Sequence, residues 1–397
     1  MIEIAKALEI VRRETRSLAA ENVELTRSIE RVLAENIVSD TDLPPFDRSQ
    51  MDGYALIAAD TLHSPVSLKI VGESAAGRGW HNTLRSGEAV RIMTGAPVPA
   101  GADAVQKVEL TTESHETVET FETIETGRNI VRRGSEITIG KVVFRSGEVI
   151  TENMIAGIAS FGYSSVSVAT RPRVAIMSTG NEIVDVSEKP GRDQIRNSNS
   201  PMLLALAEKC AAKVSLFPCA SDDIVGIKEL IARAANNHDI LVITGGVSVG
   251  KYDLTKLALR ELGAEILFEK VKLRPGKPTV FAKLNDTLVF GLPGNPVSAA
   301  VTFHLFVRLA ILQMQNANKT QPRSGHAVLN NDIRAAKDRD TYLPASLETD
   351  EHGRLIATPL RWLGSSDFIG YSRADSLIFA AAGTSYVIGD VVNILYL

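Results

Sequence analysis

The 397-residue chain is predicted to be a multidomain α/β plus β protein. Three observations carry that reading. From Arg171 to Met314, short apolar runs rich in β-branched residues alternate with stretches of helical period, the pattern of βαβ units, right-handed crossovers and a parallel sheet. Residues 66–150 carry short alternating runs cut by glycines and prolines, which reads as β-rich. The segment after residue 325 holds short apolar runs and many turns and ends in a strand at Asp390–Tyr396, predicting a small β-barrel or sandwich.

Composition bounds the class. With 44% apolar and 23% charged residues, the chain has the make-up of a soluble globular protein long enough for two to four domains. A formal net charge of −4 gives no support to binding of nucleic acid or an anionic membrane. The two cysteines, Cys210 and Cys219, suggest neither a metal-ligand pair nor a disulfide framework, and the seven histidines form no HxxxH or His-Cys cluster. No signal peptide is recognised and no apolar run is expected to reach transmembrane length, so cytoplasmic residence is the default expectation.

Taken in order, residues 2–15 predict a helix. Residues 24–36 predict another, with Leu25, Ile29, Val32 and Leu33 on one face. Asp40-Thr41-Asp42-Leu43-Pro44-Pro45-Phe46 breaks that period as a linker or ordered loop. In the loop that follows, Asp52-Gly53 is a turn signal, and chemistry alone favours solvated aspartates there. Pro97, Pro99 and Gly101 mark a long turn, 109–126 a weak strand pair or loop, and Arg132-Arg133-Gly134 a small basic turn. A helix capped by Thr151 is expected over 151–161. A strand and glycine turn follow at 174–182, with further strands at 214–217, 240–244 and 287–290. Helices are expected at 201–212, 224–235, 254–262 and from Ser298 to about Met314, then a linker at 317–325.

The stretch Ile240–Ser298 organises the rest. The run 240–244 leads directly into Gly245-Gly246-Val247-Ser248-Val249-Gly250, and 287–290 into Gly291-Leu292-Pro293-Gly294-Asn295-Pro296-Val297-Ser298. In the second loop Asn295 suits an N-cap, Pro296 the first helical position and Ser298 the first turn. Free N–H groups and the helix dipole attract anions at such a start. Two such loops in one α/β unit suggest a pocket for a phosphorylated or otherwise anionic ligand at the carboxyl ends of parallel strands. The plainer alternative is that the glycines only make tight turns.

Polar loops at 178–182, 221–223, 244–253 and 291–298 share one sheet edge, which directs Glu182, Asp222, Asp223 and Asp253 to one site. Lys272, Arg274 and Lys277 flank Pro275-Gly276; they either meet an oxyanion or form a solvated turn. Carboxylates beside an anionic ligand imply a bridging divalent cation, and Mg²⁺ suits one or two carboxylates plus phosphate oxygens. No Walker A, dinucleotide fingerprint, Ser-His-Asp, Cys-His or HExxH arrangement is present. The chemistry therefore points to metal-assisted phosphate or oxyanion transfer, built from positioning and charge.

Six motifs stand in a known order and spacing: Met51-Asp52-Gly53-Tyr54-Ala55, Met93-Thr94-Gly95-Ala96, Ser178-Thr179-Gly180-Asn181-Glu182, Gly245 to Gly250, Pro275-Gly276-Lys277-Pro278 and Leu292 to Ser298. Together they resemble the molybdopterin molybdenumtransferases, the MoeA / gephyrin E-domain family. The resemblance runs from the amino-terminal helices to about residue 315 and continues more weakly to the end. It implies a three-layer α/β molybdopterin-binding domain with a parallel-rich sheet at 168–316. A discontinuous helical and extended dimerisation domain at 1–41 and 135–167, a β-rich domain II at 42–134 and a small C-terminal β-barrel at 317–397 complete the implied fold.

The implied activity is insertion of molybdenum from molybdate into adenylylated molybdopterin, with Mg²⁺ dependence and release of AMP, by an elongated homodimer. The implied partners are the molybdopterin adenylyltransferase and downstream molybdoenzymes or cofactor-modifying proteins. By resemblance, Gly245, Gly246, Val247, Ser248 and Gly250 cradle the ligand with Pro293, Gly294 and Asn295. Asp222 or Asp223, with Asp253 and Glu182, holds Mg²⁺ or the water that cleaves the pyrophosphate-type bond. Arg274, Lys277 and Ser298 bind molybdate. Asp52, with Thr94 nearby, enters the same cleft from a second subunit, and Arg132 and Arg133 line it. Arg48, Gln50 and Arg274 depart from the usual pattern, and Arg339, Ser365 and Ser366 match a family oxyanion site only loosely. The competing readings are a non-catalytic molybdopterin-binding or scaffold protein and a tungstate-using homologue.

Overall fold

The computed structural model describes residues 1–221, 223–246, 254–361 and 364–397. Two compact units emerge, one of Met1–Glu35, Ser146–Ile155 and Ser164–Leu397, the other of Asn36–Arg145 and Ala156–Tyr163.

The heart of the first unit is a six-stranded sheet. Its strands are β1 (Arg173–Ser178), β2 (Lys213–Leu216), β3 (Ile240–Thr244), β4 (Glu265–Phe268), β6 (Val280–Leu284) and β7 (Thr287–Leu292), while β5 (Leu273–Arg274) leaves it. The order is β2-β1-β3-β7-β6-β4. The first four are parallel, and β6 and β4 add an antiparallel edge. That edge was not expected from the sequence, although Asn285-Asp286, with Asn285 at φ 54°, is the two-residue turn that joins β6 to β7.

Strand side chains alternate between faces, and both faces are covered. Val174, Ile176, Ile240, Val242, Leu288 and Phe290 pack with α1 (Ile4–Glu14), α2 (Asn199–Glu208) and α5 (Pro296–Met314). Ala175, Met177, Leu241, Ile243 and Val289 pack with α3 (Ile224–Ala235) and α4 (Leu254–Glu261). The result is three layers, as the family resemblance implies, around the parallel sheet that the alternation of strands and helices predicts. Helix α5 corrects one expectation: its 19 residues are long and apolar enough to cross a membrane, yet 83% of that stretch is buried inside the protein. It is a core helix, apolar all round because it is enclosed.

The predicted helix over 24–36 is absent. Ala20–Glu24 is a strand paired with Ser165–Ala169, a 3₁₀ turn covers Leu25–Arg27, and Val32 and Leu33 form bridges to Val149 and Val168. Leu25, Val32 and Leu33 are buried but Ile29 is 36% exposed, and Glu30 takes φ 62°. The helical spacing was coincidental, and extended pairing buries the same residues. The helix at Glu152–Ser160 does form, with Thr151 Oγ1 accepting from Met154 N at 3.4 Å.

Beyond α5, the strands β8 (Ser324–Leu329), β9 (Asp340–Thr349), β10 (Leu355–Pro359), β11 (Ser376–Ala380) and β12 (Val391–Tyr396) run in the order β9-β10-β8-β12-β11. Pairing of β9 with β11 closes the circuit, so the sandwich alternative falls to the barrel. Strand β5 joins it through Arg274 opposite Thr341.

The second unit is a six-stranded sheet in the order 104–107, 53–56, 88–92, 66–74, 117–120, 111–114. The weak pair expected at 109–126 is the hairpin of its last two strands. Gly53 is obligatory there: a Cβ would sit 1.8 Å from the Gln106 carbonyl oxygen of the neighbouring strand.

Candidate functional site

The carboxyl ends of β1 and β3 open into a cavity of about 760 Å³, within the range of small-molecule sites. Its floor is a hydroxyl–amide network. Ser178 Oγ lies 2.9 Å from Thr244 Oγ1 and 3.0 Å from Ser200 Oγ, and Asn197 Nδ2 donates to Ser200 Oγ at 3.0 Å. This ties the two strand ends to the start of α2.

Gly245 carries the chain past that floor. It takes φ 88°, and a Cβ on it would meet the Thr179 carbonyl oxygen at 2.5 Å. The second glycine loop arrives beside it: a Cβ on Gly294 would lie 3.6 Å from Gly245 Cα, and the Gly294 carbonyl oxygen accepts from Asn199 Nδ2 at 2.7 Å. Thr179 and Asn199 belong to the lining, and Thr179 Oγ1 and Asn199 Oδ1 are buried beneath it without a partner, which buried polar atoms rarely are.

Of the residues singled out in the sequence, Glu182, Gly245, Gly294 and Asn295 line this cavity. Gly246 adjoins it at φ 60°. Pro293 and Ser298 are buried behind the loop and do not line it. The Asp223 carboxylate accepts from Gly226 N at 2.8 Å and caps α3. Asp222, Val247, Ser248, Gly250 and Asp253 lie outside the described residues.

The predicted cation turn also divides. Lys272 pairs with Glu3 at the N-cap position of α1, while Arg274 and Lys277 are exposed where β5 meets the barrel strand β9 and do not line this cavity. Asp338 lies there with its pKa lowered, chiefly by its hydrogen bond from Arg339 and to a lesser degree by the charge of Lys277. Arg274, Lys277 and Arg339 therefore belong to the seam between sheet and barrel, because β5 leaves the sheet before the turn.

Sequence reasoning missed Arg196, Asn199 and Phe368, all of which line the cavity. Arg196 is the cation among its described lining residues and donates to the Glu188 carbonyl oxygen at 2.9 Å. The signal was the run Asn197-Ser198-Asn199-Ser200 before Pro201, a dense helix-start cluster after a strand. The barrel also contributes: Ser366 and Phe368 line the cavity. Asn295 holds the N-cap position of α5 but makes no capping bond; its Nδ2 donates instead to Ser365 Oγ at 2.7 Å. Removing this single neutral bond by Asn295→Ala or Ser365→Ala is expected to cost about 0.5–1.5 kcal/mol. A double-mutant cycle in urea should show the two changes to be non-additive, since they delete the same bond.

The second unit holds its own polar cluster. Asp52 Oδ1 accepts from Thr94 N at 2.7 Å and Thr94 Oγ1 at 2.8 Å, so these are partners rather than solvated neighbours. Arg132 Nη1 donates to Asp47 at 2.6 Å and Arg133 Nε to Asp42 at 2.6 Å. The Thr94 backbone N–H, then its hydroxyl, lowers the Asp52 pKa. This stabilising bond is present above the unfolded carboxyl pKa and is lost as pH falls through the lower folded value. Thr94→Val keeps the N–H and removes the hydroxyl, so the Asp52 pKa should rise towards 3.8, its ordinary value. An NMR titration of the carboxyl carbon showing no rise would refute the assignment.

The fold and the glycine-loop cavity define a multidomain protein built on a three-layer α/β domain with a small-molecule site at its strand ends, and comparison with known proteins supplies the family. Residues 175–313 match the family model described as a probable molybdopterin binding domain. Residues 2–162 match the MoeA N-terminal region (domain I and II), and 326–397 the MoeA C-terminal region (domain IV). A molybdopterin molybdenumtransferase of Staphylococcus aureus (strain MSSA476) is 34% identical over 99% of this chain and 95% of its own length. One from Staphylococcus epidermidis (strain ATCC 12228) is 31% identical over the same shares. The crystal structure of a molybdopterin biosynthesis MoeA protein from Pyrococcus horikoshii OT3 superposes with a TM-score of 0.87 at 28% identity, covering 100% of both chains. The chain belongs to the molybdopterin molybdenumtransferase (MoeA) family.

Proposed function

We propose that this chain is a molybdopterin molybdenumtransferase that inserts molybdenum from molybdate into adenylylated molybdopterin and releases AMP, in molybdenum cofactor biosynthesis. The observation that supports it most is the cavity at the ends of the parallel strands, whose lining brings Ser178, Thr244 and Asn199 together with the Gly245 and Gly294 loops. A pterin, rich in ring nitrogens and a carbonyl, offers the complementary donors and acceptors.

In this reading the Gly245 and Gly294 loops let the ligand approach the backbone, and Arg196 meets its phosphate charge. The donor set fits Mg²⁺: Glu182 is the carboxylate among the described lining residues, and this ion is commonly held by one or two carboxylates with substrate phosphate oxygens. Asp253 is our second ligand. Bound Mg²⁺ would neutralise charge on the phosphate oxygens. Lys277 and Arg274 orient molybdate, and the Asp52–Thr94 pair completes the site from the second subunit of a homodimer. The same reading gives a cytoplasmic enzyme supplied by a molybdopterin adenylyltransferase, with domains at 1–41 with 135–167, 42–134, 168–316 and 317–397.

The test is turnover with adenylylated molybdopterin, Mg²⁺ and molybdate, following AMP. Molybdate-stimulated AMP release that disappears in Asp253→Ala and Glu182→Gln is expected. Tight ligand binding without AMP release would move the protein to a binding role.

A further inference from the structure

Helix α5 contains a π-helical segment, Phe303–Val307, and this segment opens onto a second cavity of about 590 Å³ that shares no lining residue with the first. π-Helical turns recur at functional sites. Leu206, Phe303 and Leu312 give the cavity apolar walls, while Lys209, Arg308, Lys319 and Arg323 give it four cations. Glu30 is the acidic side chain of the lining, and among the described residues none of the four cations forms an ion pair.

Lys209, Lys319 and Arg323 are exposed, so solvation alone would account for them. It does not account for Arg308 or His304. Arg308 is half-buried, and that partial burial disfavours its charged form. Its hydrogen bond to protein is the one from Nη1 to the Thr320 carbonyl oxygen, at 2.6 Å. A guanidinium carries five donors, and a buried one without a counter-charge is costly. His304 is 8% exposed, meets Phe303 edge to face, and makes no hydrogen bond to any described residue. Burial, with the charges of Arg308 and Lys209, pushes its pKa down to about 4, so at neutral pH the ring keeps one donor and one acceptor to offer.

We propose that this cavity is a second ligand site, for an organic phosphate whose anionic group is held by Arg308, Lys209 and Lys319 and whose apolar or aromatic part lies against Phe303 and Leu206. A carboxylate monoanion would leave most of the positive charge unmatched, whereas a phosphate monoester carries close to two negative charges at pH 7. The inference does not depend on the transferase reading of the first cavity.

Phenyl phosphate, titrated calorimetrically into the full chain, is the probe. Saturable binding is expected, accompanied by a shift of the His304 ring resonances in NMR. The double variant Lys209→Glu/Lys319→Glu changes two exposed side chains and should weaken binding by about tenfold or more. Glu30→Gln, which removes the opposing acid, should tighten it. Ser366→Tyr, which narrows the first cavity, should leave the affinity within about twofold. Absence of saturable binding, an affinity untouched by the double variant, or loss of binding in Ser366→Tyr would each overturn the proposal.

Discussion

Gly245→Ala should lower molybdate-dependent turnover by about 100-fold or more, equivalent to about 2.7 kcal/mol of transition-state binding. Two costs combine. At φ 88° an L side chain is strained by about 1–2 kcal/mol. The added methyl would also sit 2.5 Å from the Thr179 carbonyl oxygen, a backbone atom that cannot rotate away. Relief requires the Gly245 loop or the end of β1 to move, and both border the cavity. Gly263→Ala is the matched control: its φ is 80° and nothing lies within 4 Å of the new Cβ. It should carry the conformational cost alone and keep turnover close to that of the unmodified chain. If both variants lose activity equally, strain rather than cavity geometry is responsible. If neither does, Gly245 has no part in ligand binding.

The α/β core was legible because its cause is local. The run Ile240-Leu241-Val242-Ile243-Thr244 is wholly buried in β3, and residues 224–235 form α3 with the predicted limits. Buried parallel strands read as unbroken apolar runs, and amphipathic helices show their period directly. The predicted helix at 24–36 failed for the converse reason. Val32 and Leu33 are buried by bridges to Val149 and Val168, more than 100 residues away, and no local period reports such pairing. The glycine loops of the site were legible, since a strand running into glycine and then a helix start is a local signal. Which charges face the cavity was legible only in part: Glu182 lines it, as read from the sequence. Asp223 is consumed as a helix cap and Lys272 by Glu3, whereas Arg196 and Phe368 arrive from segments with no motif of their own. Side-chain allegiance depends on the nearest competing partner, and several carboxylates and cations within reach of one sheet edge compete for few positions.

Phe290→Ala should destabilise the α/β domain by about 3–5 kcal/mol, a large share of the 5–15 kcal/mol typical of a folded domain. The ring is fully buried on β7, 4.8 Å from the ring of Phe281 on the antiparallel neighbour β6, in the cluster that α5 covers. Truncation leaves a void that a closely packed sheet-and-helix layer collapses only in part. Urea unfolding should show a lower midpoint with little change in slope, while Phe290→Leu, which restores much of the volume, should recover part of the loss. The consequence for function follows from position. Phe290 lies four residues before Gly294, on the strand that delivers the second glycine loop to the cavity. Loss of activity in Phe290→Ala that tracks the unfolded fraction would mark it as a packing residue only. Weakened ligand binding at temperatures where the variant is fully folded would show that the core sets the position of the loop. The rigid, doubly covered sheet would then be part of the binding site, holding the Gly245 and Gly294 loops side by side at the cavity.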